Sequence, residues 1–152
     1  EKPLFGGGRP VTPYITVLVS RISLRLLSIP VVRFGVPLQQ PGAFVSNHTS
    51  WLDIFALNSG HMLYFVSKSE VAKWPGIGLL AKATGTLFIR RESKEAIAQK
   101  KLFAQRIKMG HQLLFFPEGT STDGMRVLRF KSALFQAEMS FVSPVICFST
   151  VD

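Results

Sequence analysis

Ala43-Phe44-Val45-Ser46-Asn47-His48-Thr49-Ser50-Trp51-Leu52-Asp53 decides the fold of this chain. Ala43 to Ser46 reads as a short buried strand and Asn47 to Ser50 as a turn. Trp51 to Leu57 has helical character, with Ser50 as a natural N-cap. The stretch also sets a histidine five positions before the only acidic residue between Lys2 and Val66. Five residues on an unbroken helix rotate by about 500°, leaving the two side chains roughly 140° apart. His48 and Asp53 therefore meet only if His48 stands on the turn and Asp53 in the first turn of the next helix. A neutral imidazole placed there can take a proton from a hydroxyl. The carboxylate behind it fixes the tautomer and stabilises the imidazolium. A plainer reading stands beside this one: Ser50-x-x-Asp53 has the form of a capping box, and the carboxylate could do no more than cap.

Strand-like and helix-like segments alternate outward from this stretch. Strands are expected at 43–46, 63–67, 86–90, 113–116 and 145–149, and helices at 51–58, 77–83, 94–108 and 131–139. That order predicts an α/β fold, with a largely parallel or mixed sheet flanked by helices. Along 94–108, Ile97, Phe103, Ala104 and Ile107 are expected to face inward. Lys100, Lys101, Arg106 and Lys108 then form an ordinary solvated face. His48, Arg91 and Glu118 each follow an expected strand. Sites on open α/β sheets collect outside the carboxyl ends of the strands, so three loops would converge on one edge if the strands are parallel.

Upstream, residues 1–13 carry Gly6-Gly7-Gly8 and three prolines and read as a linker or irregular lead-in. Ile15 to Ile29 is strongly apolar, with Arg21 and Arg25 one helical turn apart, and Pro30 ends it. The run is shorter than the roughly 20 residues that span hydrocarbon, and its arginines argue against a central span. A helix lying in a membrane interface fits it better than a core helix that shows two arginines to solvent.

The 152 residues suit one domain, and thirteen Phe argue against disorder. The single Cys147 rules out an internal disulfide. The chain begins at Glu1 rather than Met and stops just after an apolar run, so both ends read as cuts through a longer protein. Its net charge of +9 is concentrated, with thirteen basic residues against five acidic ones from Lys68 to Lys131. Such a surface suits an anionic partner: an acidic bilayer, an acidic carrier protein, a phosphorylated thioester donor or nucleic acid.

Two further blocks carry chemistry. Gly85-Thr86-Leu87-Phe88-Ile89-Arg90-Arg91 is an apolar strand ending in two arginines, which alternation puts on opposite faces. One of them could grip a phosphate or carboxylate, or simply meet solvent. In Phe116-Pro117-Glu118-Gly119-Thr120 a carboxylate follows a buried strand, and Gly119 permits close approach of a ligand or backbone. The alternative is a turn that only reverses the chain.

Together these blocks resemble the glycerolipid acyltransferases, a family that includes bacterial lysophosphatidic acid acyltransferase. Its Asn-His followed by four residues and Asp matches Asn47, His48 and Asp53. Gly-x-x-Phe-Ile-x-Arg matches Gly85, Phe88, Ile89 and Arg91, and Phe-Pro-Glu-Gly-Thr matches Phe116 to Thr120. An apolar strand with proline is matched loosely by Val142 to Cys147, through Pro144. The likeness runs from about Ala43 to the end. It implies a glycerol-3-phosphate acyltransferase-like fold, with residues 1–35 as linker and membrane-associated helix and 36–152 as the acyltransferase domain.

The resemblance also implies His48 as general base on an acceptor hydroxyl, with Asp53 orienting it. Arg91, Glu118, Gly119 and Thr120 would bind the acceptor head group. The acyl donor would be a thioester on acyl carrier protein or coenzyme A, with no other cofactor and no metal. The expected partners are a lysolipid and a membrane surface with anionic lipids, with no nucleic acid. The expected location is the cytoplasmic face of a bacterial inner membrane, peripheral or anchored by a helix before Glu1. Ser121 stands where lysophosphatidic acid enzymes usually carry arginine, and Ser121-Thr122-Asp123-Gly124 looks closer to the bacterial branch that acylates lyso-ornithine lipid. Lysophosphatidic acid is the alternative acceptor, with Arg126 or Arg129 as the replacement cation.

Rival classes fare worse. His48, His61 and His111 are far apart in sequence, and neither His-x-x-x-His nor paired cysteines supply zinc-ligand spacing. No recognised basic-aromatic motif supports nucleic-acid binding. A non-catalytic membrane-binding domain would explain the charge and the apolar helix, but leaves His48, Asp53 and Glu118 without a purpose.

Overall fold

Five short strands order the chain: β1 (Gly42–Ser46), β2 (Leu63–Lys68), β3 (Leu87–Ile89), β4 (Gln112–Phe115) and β5 (Val142–Cys147). They form one sheet in the order β3-β2-β4-β1-β5, and every pairing is parallel. The computed structural model describes residues 11–36, 39–90, 96–130 and 142–147. The expected helix at 131–139, and Arg91, lie outside the described residues.

Alternation along the strands builds two apolar faces. Ala43, Val45, Tyr64, Val66, Leu87, Leu113 and Phe115 point to one side, where Phe103 and Ile107 pack on them. Those two come from the helix Ala96–Lys108, which precedes β4. Phe44, Leu63, Phe65 and Leu114 point to the other side, covered by Ile54 and Leu57 of the short helix Asp53–Asn58. A parallel sheet buried on both faces needs this near-continuous apolar content. β4 lies between β1 and β2, and its Leu113 and Leu114 are 0% and 2% exposed on opposite faces. Truncating either to alanine removes about 2–5 kcal/mol on the usual scale for buried leucines.

The helices are α1 (Thr12–Leu26), α2 (Asp53–Asn58), α3 (Ile77–Thr84) and α4 (Ala96–Lys108). A 3₁₀ turn at Ser69–Lys73, which no expected element covered, links β2 to α3. Gly85 ends α3 at φ 84°, a left-handed cap that glycine adopts without a Cβ clash. It thus serves the helix-to-strand reversal before β3.

Two expectations need correction. α1 starts at Thr12 with Pro13 in its first turn and ends at Leu26. The lead-in therefore stops at Val11, and Pro30 is not the terminator. Ser28, at φ 57°, ends the helix in a Schellman motif. Its amide reaches Arg25 O at 3.0 Å, and Ile29 N reaches Leu24 O at 2.9 Å. On α4, Phe103 and Ile107 do face the sheet, but Ile97 is 82% exposed and Ala104 is exposed too. Six residues separate Ile97 from Phe103, which puts them about 120° apart around the helix. Arg106 is half-buried rather than solvated, with its guanidinium 3.4 Å from His111 Nδ1 and over the Tyr64 ring.

α1 packs on α2. Ser20 and Leu24 are its buried residues, while Tyr14, Ile15, Leu18, Ile22 and Leu26 are exposed. That spacing is one continuous helical stripe turned away from the other described residues. No helix among the described residues is long and apolar enough to cross a membrane.

His61, half-buried ahead of β2, has its pKa held below 6.5 by burial first and by the Arg33 charge second. Unfolding releases that depression, so the unfolded chain binds the proton at the higher pH. The stability that comes from keeping His61 neutral is complete above the unfolded value near 6.5 and is lost as pH falls toward the folded value. Urea unfolding midpoints are expected to drop as pH falls below about 6.5, and His61→Asn should flatten that dependence.

Candidate active site

Because β1 and β4 are parallel neighbours, the segments leaving their carboxyl ends emerge side by side, about 4.8 Å apart. One carries His48 and the other Phe116, Pro117 and Glu118. β3, which precedes Arg91, lies at the sheet edge beyond β2.

The first segment folds as its spacing demands. Asn47 to Ser50 is irregular and Trp51-Leu52 a turn, where i to i+3 bonds from Ser50 O and Trp51 O wind the chain into α2, two residues later than expected. His48 Nδ1 lies 2.8 Å from Asp53 Oδ2. The same oxygen accepts Thr49 N at 2.7 Å and Ser50 N at 3.0 Å, and Oδ1 accepts Thr49 Oγ1 at 3.2 Å. Ser50 Oγ returns a bond to Leu52 N at 3.2 Å. A single carboxylate therefore closes the turn and holds the ring. The helix starts at Asp53 with Leu52 as its N-cap and no side-chain cap, so Ser50 is not the N-cap the sequence suggests.

The ring is fixed on its other surfaces as well. His48 stacks on Phe116 at 4.1 Å between centroids, and Phe116 stacks on Phe65. Thr122 N donates to His48 O at 2.8 Å, so the segment after β4 also braces the turn after β1. With Nδ1–H committed to the carboxylate, the Nε2 lone pair is the available base. The side chain is 19% exposed against 3% for Asp53, so the histidine is reachable and its partner is sealed. Phe116 and Thr122 were not expected to touch the histidine. Phe116 is expected as the end of a strand and the start of the Phe-Pro-Glu-Gly-Thr motif, and Thr122 as part of a departure from the family pattern.

Glu118 lies buried in the segment that follows β4. It is 2% exposed, and its Oε2 accepts Leu128 N at 2.8 Å. Its Oε1 is buried without a hydrogen-bond partner among the described residues. Through Oε2 the carboxylate anchors the segment 119–128, because the chain folds back over it at Leu128. Gly119 turns the chain at φ 70°, with its amide 3.0 Å from Phe116 O. Both the turn reading and the site reading therefore describe one segment. Thr120 is exposed, as are Arg126 and Arg129. Glu118→Ala should cost about 1–3 kcal/mol by leaving the Leu128 amide unpaired, whereas Glu118→Gln keeps an acceptor and should cost less. Urea unfolding of the two variants, with amide exchange at Leu128, checks the difference.

His61 and His111 precede β2 and β4, at the sheet edge opposite His48. Among the described residues no group of His, Cys, Asp and Glu is placed to hold a metal ion.

Known proteins resemble this chain in sequence. The family model described as Acyltransferase matches residues 30–150. A lyso-ornithine lipid O-acyltransferase of Rhodobacter capsulatus is 60% identical over 137 residues, 90% of this chain and 50% of that protein. One from Brucella abortus is 37% identical over 134 residues, 87% of this chain and 49% of its own length. A 1-acyl-sn-glycerol-3-phosphate acyltransferase of Neisseria gonorrhoeae is 35% identical over 102 residues, 66% of this chain and 40% of its own. The chain thus spans about half the length of these relatives. No solved structure matches it significantly.

Proposed function

Since the chain belongs to the acyltransferase family, we propose that the protein transfers a fatty acyl group from a thioester to the hydroxyl of a lysolipid, with lyso-ornithine lipid as the acceptor. The observation that carries the reading is the geometry of His48: Nδ1 is held 2.8 Å from a sealed carboxylate while the ring is partly open to a substrate. The 60% identity to a lyso-ornithine lipid O-acyltransferase supports the choice of acceptor.

The acceptor hydroxyl gives its proton to His48 Nε2 as its oxygen attacks the thioester carbonyl. Asp53 stabilises the imidazolium that forms. The tetrahedral intermediate collapses by breaking the C–S bond, and the leaving thiolate takes the proton back from His48. Ester and free thiol are the products. A thioester needs no enzyme nucleophile, so neither Cys147 nor a serine has to be acylated. Acyl carrier protein and coenzyme A both suit the net charge of +9 as donor carriers, because both are anionic.

The apolar stripe of α1, with Leu79 and Leu80 also exposed on α3, supports docking on a membrane surface where the lysolipid resides. The location that follows is the cytoplasmic face of a bacterial inner membrane, where acyl thioesters are made.

The test is a competition. Purified protein is given acyl carrier protein and coenzyme A thioesters, with lyso-ornithine lipid and lysophosphatidic acid as acceptors, and thiol release is followed. Higher kcat/KM on lyso-ornithine lipid is expected. Preference for lysophosphatidic acid would overturn the acceptor and leave the chemistry standing. No thiol release with either would leave the different-class alternative, a non-catalytic membrane-binding domain.

A further inference from the structure

At the sheet edge opposite His48, the C-terminal end of α1 and the loop before β2 enclose an open cleft of about 400 Å³. Arg21, Arg25 and Arg33 line it. Two of them are preset: Arg21 Nε donates to Ser59 O at 2.8 Å and Arg33 Nη2 to Ser59 Oγ at 2.5 Å. Ser59 is 2% exposed and tied in turn to Ala56 O at 2.7 Å, so both guanidinium groups hang from a rigid point. The Arg25 side chain has neither a hydrogen bond nor an ion pair among the described residues.

Among the described residues no carboxylate pairs with these arginines. Asp53 is the only acid between Lys2 and Val66, and it is bound to His48 at the far end of α2. Burial first, and the Arg33 charge second, hold the pKa of the neighbouring His61 below its ordinary value. Leu24, Ile29, Pro30 and Val31 supply the remaining wall, and Ile22, Leu26 and Leu27 of the outward stripe lie beside the arginines in sequence. Cations over an apolar floor, next to an exposed apolar helix face, match an amphiphile whose phosphate sits at a water interface.

We infer that this cleft is a phosphate site, in which Arg21, Arg25 and Arg33 hold the head-group phosphate of a membrane phospholipid while α1 lies along the surface. The inference rests on the membrane-docking reading above and adds a defined subsite to it, apart from the acyl-transfer centre. Bound there, the phospholipid is a fixed anchor and not the acceptor.

Gly60 offers a test that leaves every charge in place. A Cβ at Gly60 would lie 2.7 Å from Arg33 Nε, so Gly60→Ala must push that guanidinium aside without removing it. Arg25→Lys likewise keeps the charge but loses the planar fork. Sedimentation binding is measured with phosphatidylcholine vesicles, with mixed phosphatidylcholine and phosphatidylglycerol vesicles, and, by calorimetry, with inorganic phosphate. Weaker binding to the mixed vesicles, by about fivefold or more in each charge-conserving variant, is the expected result. Thiol release should stay at the parent rate when substrates are presented in detergent.

Parent-like vesicle binding by both variants would overturn the subsite and reduce the arginines to diffuse attraction. If inorganic phosphate binds and is lost in Gly60→Ala while vesicle binding is unchanged, the lipid source is overturned. Failure of the parent protein to bind either vesicle would instead overturn the membrane reading itself.

Discussion

His48→Ala is expected to lower acyl transfer by about 10²–10⁴-fold at saturating substrates, the usual contribution of a positioned general base. The fold should survive. His48 stands on a turn rather than inside an element, and the backbone bond from Thr122 N to His48 O does not depend on its side chain. Stacking on Phe116 is lost, at about 0.5–1.5 kcal/mol for an aromatic pair. The readout is thiol release under saturating thioester and lysolipid, with circular dichroism to confirm folding. Activity equal to the parent would remove His48 from the mechanism. Such a result would leave the stacked, carboxylate-bound ring as a structural feature only.

Asp53 is the second large effect, and two substitutions separate its roles. Asp53→Asn can place its oxygen where Oδ2 accepts Thr49 N, Ser50 N and His48 Nδ1. Its amide then meets Thr49 Oγ1, which can accept as well as donate. The turn and the tautomer are kept and only the charge is lost, so the rate should fall by about 10²-fold or more while stability changes little. Asp53→Ala also removes the acceptor that closes the turn, and should add about 0.5–2 kcal/mol of destabilisation. Measuring kcat and the urea midpoint on both variants tests this. An asparagine variant as active as the parent would reduce the carboxylate to its role in closing the turn.

The dyad could be read from spacing because strand, turn and helix start are local events. Five residues cannot align on a helix, so the only geometry that joins His48 to Asp53 is the one observed. Closing the turn and holding the imidazole do not exclude each other, since the same Oδ2 accepts Ser50 N and lies 2.8 Å from His48 Nδ1. The strands were legible for a related reason: alternation and short apolar runs mark residues buried on both faces. α4 was read less well, because Ile97 and Ala104 fit a helical stripe only when the position of Phe103 against the sheet is ignored. Ser28 left no signal at the end of α1, since a left-handed serine does not announce itself as glycine does.

What the sequence determined by itself was therefore local: the turn that joins His48 to Asp53, the buried strands, the apolar length of α1 and the three linked motifs of the family. Tertiary structure decided the rest. Only the strand order puts β4 beside β1, so only folding brings Phe116 onto the His48 ring and Thr122 onto its carbonyl. Burial, too, depends on the return of the chain at Leu128, whose amide donates to Glu118 Oε2. The outward face of α1 and the clustering of Arg21, Arg25 and Arg33 follow from its packing on α2. Hydrogen bonds across a few residues are written in spacing. Contacts between segments many residues apart are set by which surfaces pack together, and no single stretch of sequence carries that information.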